Sequence, residues 1–135
     1  MALEEFPLNR LDTKPGTIWR RDDVFDIVIG LEPFDLDGEK VSTEFRLDGL
    51  ALPGDGPPSW AGKAFDFPSN PEPGYVDGSI YLRHAHNPAD LTRIEFGEFR
   101  DNQIEAKLSL SILFEFEGIG FSNLDVQFEV PLKTI

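Results

Sequence analysis

His84 and His86 are the only imidazoles in the chain, and they stand two residues apart. On a β-strand, residues i and i+2 face the same way, so both rings can turn toward one ion. Imidazole suits zinc, copper, iron or nickel, and Asp90, four residues on, offers a carboxylate as a third ligand. That chemistry requires the strand read through Ile80 and Leu82 to continue, with both histidines on its inward face. A second set of donors lies in Asp35-Leu36-Asp37-Gly38-Glu39, with Glu44 beyond it. Calcium favours such oxygens, but an EF-hand needs a donor where Pro33 stands and helices on both sides. The following residues alternate as a strand, so this segment reads as an acidic β-hairpin turn.

Taken together, Gly78, His84-Ala85-His86, Asp90 and Gly97 resemble the first metal motif of cupins. The resemblance covers about twenty residues and implies a metal-binding β domain, an enzyme in some cases. Asp90 stands where cupins carry glutamate, and no histidine follows His86 to supply the ligand of a second motif. This is the alternative reading, and the expectation is a chain without metal or other cofactor.

The remaining catalytic signatures are missing. There is no Gly-x-Ser-x-Gly elbow, no phosphate-cradling glycine loop and no dinucleotide fingerprint. With no cysteine, disulfides, thiolate sites and a cysteine nucleophile are excluded. The balance leans away from an enzyme.

Charge is the strongest global signal. Twelve basic residues face 25 acidic ones, a net of −13. Such a field repels phosphate backbones and anionic membrane surfaces, so neither nucleic acid nor membrane is an expected partner. It favours a basic protein, steered in by long-range attraction. The N-terminus carries no basic region or long apolar run, and the cytoplasm is the expected location.

The elements that position these residues are β-strands. Ile104, Ala106, Leu108, Leu110, Ile112, Phe114 and Phe116 alternate with mostly polar residues, which predicts one long strand with a single buried face. Leu124, Val126, Phe128, Val130 and Leu132 predict a second. Further strands are read at Val24–Leu31, from Val41 through Leu47, and around Ile80 and Ile94, with Trp60 to Phe67 a weaker candidate. Asp37-Gly38 and Asp101-Asn102 tolerate positive φ and suit tight turns. Short helical turns fit Leu3 to Leu11 and the stretch after Pro88. About eight strands at this spacing predict one all-β domain over 1–135, an antiparallel sandwich or small open barrel.

Residues 53–75 depart from this pattern. They hold six of eleven prolines and four of twelve glycines, with Trp60, Phe65, Phe67 and Tyr75 among them. That composition predicts a long loop carrying at most one short strand, and such loops often bind. The expected function is therefore non-enzymatic binding of a basic protein. Trp60 and Tyr75 are the expected anchors, and Asp35, Asp37 and Glu39 the steering charges. In general character the chain resembles bacterial immunity proteins, which neutralise a toxin by covering its active site. A structural or assembly module, joined through an exposed sheet edge, is a further alternative. The sequence leaves the oligomeric state open.

Overall fold

A computed structural model describes residues 2–135 of the chain. Its strands are β1 (Gly16–Arg21), β2 (Val24–Gly30), β3 (Phe34–Leu36), β4 (Glu39–Val41), β5 (Glu44–Leu50), β6 (Ala64–Asp66), β7 (Asp77–Leu82), β8 (Ala85–Arg100), β9 (Gln103–Ile112) and β10 (Leu124–Thr134). The protein is all-β. The two short helical pieces are 3-10 turns at Leu8–Arg10 and Pro57–Trp60.

Seven strands run β8-β7-β5-β2-β1-β10-β9, and β9 pairs back onto β8, closing the sheet into a barrel. Closure leaves those strands no free edge. Every neighbour is antiparallel except β1 and β10, which pair in parallel from Gly16↔Leu132 to Ile18↔Thr134. β6 adds to β8 outside the ring, and β3–β4 forms a separate two-stranded hairpin.

Alternation explains the ring. Ile104, Ala106, Leu108, Leu110 and Ile112 on β9 point inward, opposite Leu124 to Leu132 on β10. Pro131 is tolerated because it sits just before the β1 pairing begins at Leu132, where a missing donor costs no ladder bond to that neighbour. β8 runs sixteen residues by bending at two register shifts, Leu91/Arg93 and Phe96/Phe99. The bends let it serve β7 near its start, β6 near its middle and β9 along most of its length.

Aromatic rings plug both ends. At one end Trp60 lies edge-on to Phe25, with ring centroids 4.6 Å apart, and stacks on Phe96 at 5.2 Å. At the other, Phe6 meets Phe34, Phe114 and Phe121 within 6 Å.

Three readings of the sequence need correction. The strand expected from Ile104 to Phe116 ends at Ile112, where the chain turns to send Phe114 into the aromatic plug. Phe116 lies outside the sheet and 76% exposed. The single strand expected from Val41 through Leu47 is two, broken at Ser42 and Thr43. The stretch after Pro88 is strand and not helix, because its apolar residues alternate into the barrel.

Candidate functional site

Three tight turns each hold two residues at positive φ: Asp37 and Gly38, Arg83 and His84, Asp101 and Asn102. Two of them lie at the end of the barrel plugged by Phe6. The β3–β4 hairpin buries Phe34 and Leu36 and turns Asp35, Asp37, Glu39 and Lys40 outward. Beside it, the β7–β8 turn places Arg83.

The Arg83 guanidinium ties three segments together. Its Nε and Nη2 donate to the two carboxylate oxygens of Asp37 at 2.9 and 2.8 Å. Its Nη1 donates to the Ile119 carbonyl oxygen, and the group sits 4.3 Å over the Phe121 ring. Hydrogen bonding from Arg83 holds the Asp37 carboxyl below the ordinary carboxylate range. Asp37 is thus a structural tie, already neutralised, and contributes less to long-range steering than its formal charge suggests. Asp35 has only a loose ion pair with Lys40, at 3.9 Å, and Glu39 has none among the described residues.

The chain from Leu113 to Asn123 borders the same end. The Glu115 backbone N–H donates to Asn123 Oδ1, and the Asn123 N–H donates back to Glu115 Oε2, both at 2.9 Å. The N-terminal segment lies alongside, with Glu4 bridged to Phe121. Glu4, Glu5, Glu39, Glu115 and Glu117 have no basic side chain within 4 Å among the described residues. Leu3, Tyr81 and Phe116 are exposed at this end. A groove of about 450 Å³ runs between the hairpin and the β7–β8 turn, lined by Asp37, Glu39, Lys40, Tyr81 and His84 among others.

The anticipated aromatic anchors are elsewhere. Trp60 is 1% exposed, and its Nε1–H donates to the Pro53 carbonyl oxygen at 2.6 Å. It belongs to the core at the opposite end and offers no surface to a partner. Tyr75 is half-buried in the loop that leads into β7, at the end of that strand away from Arg83. The 53–75 segment carries one 3-10 turn and the short β6.

The histidines do not share an inward face. His84 occupies the turn itself, and His86 lies on the outer face of β8, its ring 4.7 Å from that of Tyr81. A two-residue turn reverses the chain, so the expected continuous strand does not exist. Asp90 is 6% exposed and sits opposite Ser111; burial pushes its carboxyl up. Among the described residues no three His, Asp or Glu side chains group so as to hold a metal ion. Gly78 has a packing reason of its own: a Cβ there would run into the Ala89 carbonyl oxygen and Leu47 Cδ2.

Buried charge occurs once more, at the Trp60 end. Asp26 accepts two hydrogen bonds from Arg21 and one from the Gly49 N–H, which together hold its carboxyl low against the opposing effect of burial. Asp48 nearby is pushed up, first by burial and then by the charge of Asp26.

No family model, curated protein or solved structure matches the chain. Among the described residues no helix is long and apolar enough to cross a membrane.

Proposed function

We propose that this chain is a non-enzymatic binding domain that takes a basic protein on the barrel end formed by the β3–β4 hairpin, the β7–β8 turn and the 113–123 loop. What supports the reading is that unpaired carboxylates and exposed apolar side chains occur together at this end. Among the described residues seven of the twelve bases lie within 4 Å of a carboxylate, so most of the positive charge is used internally. Carboxylates left without a base include five at this one end, beside the exposed side chains of Leu3, Tyr81 and Phe116. Exposed apolar side chains beside acidic ones suit a protein interface, where charge sets the rate of encounter and buried rings supply affinity. A likeness in general character to immunity proteins fits this reading, since those also act by covering a partner.

The reading is tested on a protein captured from a lysate of the source organism on the immobilised chain. Its association should slow markedly as salt rises, because exposed charges are screened beyond about 10 Å at 0.1 M. Association that ignores salt would overturn the proposal.

A further inference from the structure

A phenylalanine that is 76% exposed gains nothing from the fold. The loop that carries it is nevertheless held by hydrogen bonds of its own. Phe114 and Phe121 flank the loop from inside the core, their rings 5.7 Å apart. Within the loop the Phe116 N–H donates to the Leu113 carbonyl oxygen at 3.1 Å, and the Gly118 N–H to that of Glu115 at 3.2 Å. The reciprocal Glu115–Asn123 bonds close the base. The backbone under the ring is thus ordered, so little backbone entropy remains to be lost on contact. Glu115 and Glu117 stand on either side of it, both exposed.

From this we infer that Phe116 is the anchor of the interface, entering an apolar pocket of the partner whose rim carries lysines or arginines for Glu115 and Glu117. The inference rests on the acidic-binding reading above and names its point of contact. Charge complementarity selects the occupant. A second copy of the chain, itself at −13, would oppose carboxylates to carboxylates across a two-fold axis. An anionic lipid surface would meet the same repulsion.

Two labelled peptides of equal positive charge serve as probes, one of lysine alone and one of leucine and lysine that forms a basic amphipathic helix. Fluorescence anisotropy with the full chain should show the leucine–lysine peptide binding about tenfold more tightly, a difference of about 1.4 kcal/mol. Phe116→Ser should remove that margin and leave the oligolysine affinity unchanged, while Phe116→Leu should keep most of it. The ring is outside the core, so neither variant should shift the unfolding midpoint. A margin that survives Phe116→Ser overturns the inference, as does a dimer in sedimentation that Phe116→Ser abolishes. Failure of both peptides to bind at low salt is a separate result, which would bring down the acidic-binding reading beneath it.

Discussion

Replacing Trp60 with alanine separates a core role from a surface one. The indole is 1% exposed, edge-on to Phe25 and stacked on Phe96, with its N–H donated to the Pro53 carbonyl oxygen. Truncating a buried aromatic costs about 3–5 kcal/mol through lost burial and the cavity left behind. That is about a fifth or more of the stability of an ordinary domain, which is about 5–15 kcal/mol. Trp60→Phe keeps the ring contacts and loses the donor, for a smaller cost of about 1–2 kcal/mol. The assay is urea unfolding followed by far-ultraviolet circular dichroism. With a slope of about 2 kcal/mol/M, alanine should lower the midpoint by about 2 M and phenylalanine by less than 1 M. Below its own midpoint, each variant should bind and release a partner at wild-type rates. A midpoint within about 0.5 M of wild type for Trp60→Ala would refute the plug. Faster dissociation with unchanged stability would restore the tryptophan to the interface.

Three further outcomes follow from burial and charge. Leu110→Ala should cost about 2–5 kcal/mol and Ser109→Ala no more than about 0.5 kcal/mol in the same assay, because only Leu110 faces the barrel interior. Asp90 is raised by burial, so in the folded state its charge is penalised at neutral pH. Asp90→Asn should therefore stabilise at pH 7, and the gain should vanish as pH falls to the ordinary aspartate range near about 3.9. Asp26 is lowered by Arg21, so it stabilises above the ordinary range and that contribution is lost as pH falls through its depressed folded value. Asp26→Asn should cost about 1–3 kcal/mol at pH 7 and progressively less on acidification, read from unfolding midpoints at each pH.

The strands were legible wherever alternation was regular. β9 and β10 follow from period-two spacing alone, and Asp37-Gly38 and Asp101-Asn102 announce their turns by residue type. Arg83-His84 forms the same kind of turn without a glycine or asparagine to signal it, so the histidines read as strand. Phe116 was hidden by the opposite effect. The alternation of β9 runs on in the sequence past the point where Phe114 leaves the sheet, and only Gly118 and Gly120 hint at a turn. Closure through the parallel β1–β10 pair depends on contacts over a hundred residues apart, which local pattern does not encode. The site was half legible. Asp35 and Glu39 were readable as exposed acids on a hairpin, but the capture of Asp37 by Arg83, 46 residues away, was not.

The most direct test of the account compares two charge reversals of equal size. Asp35→Lys with Glu39→Lys alters the proposed end of the barrel and spares the Asp37–Arg83 tie. Asp23→Lys with Asp55→Lys makes the same change of net charge near the Trp60 end. Association and dissociation of the captured basic partner are measured by stopped flow at low and high salt. The hairpin pair should slow association several-fold at low salt, leave dissociation nearly unchanged and lose its effect at high salt, while the distant pair does much less. Equal slowing by both pairs would mean that net charge alone attracts the partner, and the proposed binding face would be wrong.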